Sequence, residues 1–178
     1  MATHQLHLIQ TAQLYACGIG RSAIARRRRR GLLHPVHHGV FLFGTPTLLS
    51  GARELAAVLA VGGSSVVSSR SSTALYGLTA PPAGDVELTL AGDAGRKRAG
   101  ITIHRVSKLD PRDVTHLRGI PIVTPARAIL DLAASTTGDE LERAIAEAYA
   151  LRLTTEAELY RVIARNPLKA GVQTSGPN

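Results

Sequence analysis

Apolar positions along the chain fall into short clusters punctuated by glycine and proline, and their spacing changes from segment to segment. Ala2–His7 reads as the end of a helix with Leu6 as its apolar anchor. Thr11–Cys17 reads as a second helix, started by Thr11 or Gln10 and stopped by Gly18. Ile19 is expected as a buried plug and Gly20 as a cap. Arg21–Arg30 follows as a third helix with Ile24 turned inward. Helix, glycine turn and helix at this spacing predict a helix-turn-helix. Leu32–Phe43 then predicts two short strands meeting at a turn near His37-His38-Gly39. Pro35 cannot donate to a ladder, which confines it to an edge strand or a bulge. Gly44-Thr45-Pro46 marks the end of the first module.

Beyond it, Leu55, Val58 and Leu59 repeat at helical spacing, so Ser50–Val61 is expected as a helix capped by Ser50. Val66-Val67 reads as a short buried segment leading into a helix from Ser69 or Ser71 to Tyr76. No strand–serine elbow is expected there, and no base stands beside the serines. Val86–Leu90 and Ile101–Val106 alternate like half-buried strands, and Ile120–Val123 forms a third. The intervening Ala91–Gly100 carries the basic run Arg96-Lys97-Arg98 as an exposed loop. Thr124-Pro125 starts a helix over Ala126–Ala134, in which Arg127 and Asp131 pair across one turn for a few tenths of a kcal/mol. Asp139–Leu151 and Thr155–Ala164 complete a helical end. The span 166–178 is expected to be a disordered tail.

Composition narrows this picture. The chain has 178 residues, 44% hydrophobic, with aromatic content of only 3% and no Trp. Its core must rest on Leu, Val, Ile and Ala. No apolar run approaches the roughly 20 residues of a membrane span, and the N-terminus lacks the layout of a signal peptide. Cys17 is the single cysteine, which excludes a disulfide framework. A cytoplasmic protein is expected.

Charge changes the picture most. The net charge is +8, yet residues 1–50 hold none of the 13 acidic residues, the first being Glu54, while they hold six arginines and five of the 7 histidines. Positive charge gathered in one small module is the footprint of a polyanion binder. On the predicted third helix, successive residues turn by about 100°. Arg26 and Arg30 therefore share a face with Ser22, and Arg28 lies above Ile24, where its head must extend past the core. Arg21, Ser22, Ala25, Arg26 and Arg29 form the expected groove-facing side, with Arg21 placed to read guanine O6 and N7. Arg27 and Arg30 are expected on the DNA backbone. His34, His37 and His38 are expected on phosphates at the wing. A metal site from these three is disfavoured, because no cysteine or carboxylate lies nearby. No phosphate loop, HExxH or GxSxG motif occurs. Asp110, Asp113, Glu140 and Glu142 suit capping and dipole roles. No enzyme activity, catalytic residue, cofactor or metal is expected.

The string AQLYACGIGRSAIARRRRRGLLHPVHHGVFLFG resembles the N-terminal winged helix-turn-helix domain of AbiEi-family antitoxins of type IV toxin–antitoxin systems. Downstream, SSRSSTALYGL, VELTLAG, GITIHRV, GIPIVTPARAILDLAA and LERAIAEAYALRLTTEAEL look like the α/β domain of actinobacterial relatives, so the resemblance runs over residues 2–170. It implies an α+β protein: a winged helix-turn-helix over 1–47, then a small α/β domain over 48–165 with a few short strands and a helical C-terminal end. It also implies a transcriptional regulator that binds double-stranded promoter DNA, as a dimer where operator symmetry requires it, and neutralises a cognate nucleotidyltransferase-like toxin. The chain departs from the family in three ways. Its first helix looks clipped. The Arg28 position is usually apolar in relatives, while those of Leu32, Pro35 and His38 are often arginine. The Vsr-like endonuclease domain of many relatives is missing, so no nuclease activity carries over. The alternative reading is a truncated remnant of a nuclease fusion that binds DNA non-specifically.

Overall fold

The computed structural model describes residues 6–92 and 98–167. The expected helix end at Ala2–His7 lies mostly outside these residues, as do Arg96, Lys97 and the span 168–178. At the one end that is described, Leu6 and His7 have left-handed φ values of 51° and 63°, which are not helical. They lead into an unforeseen strand, β1 (Leu8–Gln10).

Helices α1 (Thr11–Ala16) and α2 (Arg21–Arg29) follow, then strands β2 (Leu33–His37) and β3 (Val40–Phe43). β3 is the centre of a three-stranded antiparallel sheet in the order β1-β3-β2. The register places Leu8 opposite Leu42 and Leu33 opposite Phe43. It slips between Pro35 and His37, so Pro35 sits on an edge strand beside a bulge. That is where a residue without an N–H is tolerated.

Helix α3 (Ala52–Val61) comes next. Its cap is Gly51, with φ of 81°, and not Ser50 as expected. A left-handed backbone favours glycine, and a Cβ at Gly51 would stand 2.6 Å from Ile120 Cδ1. The close approach of helix start to sheet sets the cap here, ahead of side-chain preference.

The larger sheet contains β4 (Val66–Val67), β5 (Val86–Ala91), β6 (Ile101–Val106), β7 (Val114–Leu117) and β8 (Ile120–Val123). Its order is β6-β5-β4-β8-β7. The β5–β6 and β4–β8 pairs are parallel, and β4–β5 and β7–β8 are antiparallel. β7 was not expected from sequence. Helices α4 (Ser69–Leu75), α5 (Pro125–Ala133), α6 (Gly138–Ala150) and α7 (Glu156–Arg165) complete the described chain. The protein is α+β.

Side chains alternate across β4 and β8. Val67, Ile120 and Ile122 pack with Leu55, Ala56 and Val58 of α3, while Val66 and Val123 pack with Ala128 of α5 on the opposite face. Leu8, Val40 and Leu42 of the small sheet belong to the same buried cluster as α3. One helix thus serves as the common floor of both sheets, and Gln10 Nε2 adds a 2.9 Å bond to the Leu59 carbonyl.

Two polar regions differ from expectation. A sharp strand-to-helix turn does occur after β4, with Ser69 at φ of 50°. Two of its hydroxyls are taken up locally, Ser72 Oγ donating to the Ser69 carbonyl at 2.7 Å and Ser71 Oγ accepting from Glu87 N–H at 2.9 Å, while Ser68 Oγ is buried without a partner among the described residues. The second region is a buried ion cluster. Asp113 does not cap a helix; its carboxylate accepts from Arg127 at 3.0 Å, Arg165 at 2.6 Å and Asn166 at 2.9 Å. Arg127 also donates to Asp131 at 2.8 Å, as its spacing predicts, but from the interior and not from a solvated face. Asn166 therefore belongs to the fold and not to a loose tail. Asp110 does cap, accepting from Arg112 N–H at 2.9 Å.

Candidate nucleic-acid interface

The turn between α1 and α2 is fixed by backbone geometry. Gly18, at φ of 74°, donates to the Tyr15 carbonyl, and Ile19 N–H donates to the Leu14 carbonyl at 2.9 Å. This paired arrangement is a Schellman motif, whose accompanying apolar contact joins the residue past the cap to the last turn. Ile19 indeed packs against the cluster of Leu14, Ile24, Leu33 and Phe41. The motif repeats at the end of α2, where Gly31 donates to Arg28 and Leu32 to Arg27, each at 3.0 Å. Glycine at both stops thus sets the angle of α2 and the start of the hairpin.

Only Ile24 of α2 is buried. With 100° per residue, the direction opposite Ile24 falls between Ser22 and Arg26, flanked by Arg29 and Arg30. All four are exposed. Arg21 and Ala25 are exposed too and turn toward the hairpin. Arg27 is half-buried and donates to the Ala23 carbonyl at 3.3 Å. Arg28 extends past the core as its position demands, with its guanidinium over the Phe41 ring.

The hairpin histidines separate into three environments. His34 Nε2 donates to the Gly44 carbonyl at 2.9 Å. His37 is half-buried at the bulge, and its Nε2 is enclosed without a partner. Burial lowers its pKa below 6.5; a backbone hydrogen bond with Ala99 opposes the shift and the Arg53 charge adds to it. His38, at the tip, is exposed. Among the described residues no group of three or more His, Cys, Asp or Glu side chains could hold a metal ion.

Between α2 and the hairpin lies a groove of about 880 Å³, lined by Arg21, Ala25, Arg28, Pro35, His38 and Phe41 among others, and by no carboxylate among the described residues. None of the ion pairs found among the described residues involves an α2 arginine. Two acids of the second module are engaged elsewhere: the Arg70 fork holds Glu140, its pKa down to about 2, and Glu87 pairs with His104 at 2.8 Å. Six neighbouring guanidinium groups without counter-charge repel one another, and an external polyanion relieves that repulsion.

No protein-family model matches this chain, and no curated protein matches it in sequence. Among solved structures it is similar to the crystal structure of the RV2827C protein from Mycobacterium tuberculosis, with a TM-score of 0.59 at 18% identity. The match covers 92% of this chain and 68% of that one. It is a likeness of fold. No helix among the described residues is long and apolar enough to cross a membrane.

The residues expected on α2 come together on one exposed flank, apart from the half-buried Arg27. Of the three histidines, only His38 is exposed. Sequence reasoning missed that Arg98 and Ala99 of the second module line the same groove. The basic run that includes Arg98 was visible, but the position of Arg98 beside the hairpin depends on the packing of β6.

Proposed function

We propose that this protein is a DNA-binding, antitoxin-like transcriptional regulator of the AbiEi type. In this reading residues 6–43 are a winged helix-turn-helix, α2 is the recognition helix, and the β2–β3 hairpin is a short wing. The observation that carries it is the exposed flank of Ser22, Arg26, Arg29 and Arg30 on α2, which has no ion-pair partner among the described residues. A helix of this width fits the major groove, where residues near its N-terminus reach base edges and flanking cations hold phosphates. Arg21, Ser22 and Ala25 take the first role, and Arg26, Arg29 and Arg30 the second. Arg27 is a lesser backbone contact, and His38 is the wing contact. His34 and His37 support the wing from within.

The partner is double-stranded promoter DNA, bound as a dimer where the operator is symmetric, by a cytoplasmic protein with no enzyme activity of its own. The α/β module is the part that acts against a cognate nucleotidyltransferase-like toxin. Fluorescence anisotropy with DNA from upstream of the protein's own coding sequence, against a scrambled duplex at physiological salt, tests the reading. Tighter binding to the upstream DNA is expected. Equal affinity for both favours a non-specific binder, the remnant reading, over a regulator.

A further inference from the structure

Arg98 belongs to the second module, on the connection between β5 and β6, yet its side chain lines the groove between α2 and the hairpin. Its backbone is fixed: the Arg98 carbonyl accepts from Ile101 N–H at 3.2 Å, and Gly100, at φ of 77°, closes the turn. That turn is packed on the hairpin. A Cβ on Gly100 would stand 3.4 Å from the His37 ring, and Ala99 lines the groove together with His37. Arg98 is therefore held beside the wing by the start of β6.

Its chemistry is unfinished. Nε is enclosed and has no hydrogen-bond partner among the described residues, and none of their carboxylates lines the groove. An enclosed guanidinium N–H without an acceptor is costly. Two further cations, Arg21 and Arg28, face the same space from α2, with His38 at its edge. A phosphate diester in the groove answers the charge of these cations, since it brings acceptor oxygens in a geometry that guanidinium groups match.

We propose that Arg98 is a DNA phosphate contact, and that the 98–100 turn is a second wing through which the α/β module grips the same duplex that α2 reads. The inference rests on the DNA-binding reading above. It makes the binding surface a composite of both modules, with one backbone of the duplex running through the groove between Arg28 and Arg98.

Anisotropy titrations of the full chain over a range of salt concentrations test it, with the upstream and scrambled duplexes as probes. Arg98→Ala should weaken binding to both duplexes by the same factor and reduce the steepness of log affinity against log salt by about 0.9, the value for one lost phosphate contact. Arg98→Lys should recover most of the loss. If Arg98→Ala lowers the melting temperature, Arg98→Gln, which keeps the length and polarity without the charge, takes its place with the same expectation. Parental affinity and slope in these variants, alongside a loss of binding in Arg26→Ala/Arg30→Ala, overturns the second wing and leaves the DNA reading standing. This is also the outcome if the groove takes a small free anion. Parental binding in both sets removes the DNA reading and this inference with it.

Discussion

The guanidinium carbon of Arg28 lies 5.9 Å from the centroid of the Phe41 ring. Arg28 is stacked above Ile24 on α2, and Phe41 is a buried member of the cluster beneath that helix. The contact lets a cation occupy the core-facing edge of the helix without being buried. The ring receives its charge, the stem covers the cluster, and the head stays at the groove.

Arg28→Met should keep the stem and lose the charge. Urea unfolding is expected to show a change of no more than about 1 kcal/mol, the scale of an exposed cation–π contact. DNA affinity should fall equally for upstream and scrambled duplexes. A large loss of stability with intact binding would mean that Arg28 serves packing alone.

The Asp113–Arg127 pair is the opposite case. Its side chains are 0% and 3% exposed, and it joins the turn before β7, the first helical turn of α5 and the end of α7. Removing one partner from a buried pair leaves the other charge unsatisfied, which costs about 3–5 kcal/mol. Asp113→Ala is expected to destabilise on that scale in urea unfolding and to release α7. A loss near the few tenths of a kcal/mol of a surface pair would show that the cluster is solvated.

Two pH windows follow from the shifted groups. His37 has its pKa lowered by burial, so the unfolded chain binds its proton more readily. The stability this provides is complete above pH 6.5 and declines as pH falls below that value. Burial alone would raise the Asp113 carboxyl, but donors from Arg165, Asn166 and Arg127 outweigh it and hold its pKa below 3.8. Its contribution is lost only as pH falls below 3.8. Melting temperatures of the parent should therefore decline in two stages on acidification. His37→Gln should remove the upper stage and leave the lower. An unchanged upper stage in that variant would place the titration elsewhere.

Much of the first module was legible because glycine and periodicity agree there. Gly18 and Gly31 stop α1 and α2 where expected, Ile24 alone marks the inner face, and Pro35 marks the edge strand. β1 and β7 were not legible. Each is only 3 or 4 residues long, too short for alternation to register, and each exists through its pairing with β3 or β8. The Ser50 cap was wrong because the approach of Ile120 to Gly51, a long-range contact, decides that position. The Arg127–Asp131 spacing was readable, but its burial depends on Asp113, Arg165 and Asn166, which the chain brings together only on folding. The same limit hid Arg98. A basic residue between two strands reads as a solvated loop until the hairpin beside it is placed.

The central claim is that the outward flank of α2 grips DNA. The most direct measurement is the salt dependence of duplex binding by the parent and by Arg26→Ala/Arg30→Ala, compared at matched melting behaviour. Each phosphate contact contributes about 0.9 to the slope of log affinity against log salt. The account predicts weaker binding to every duplex and a slope shallower by about 1.8 in the double variant, with the preference for upstream DNA retained. An unchanged affinity and slope would contradict it.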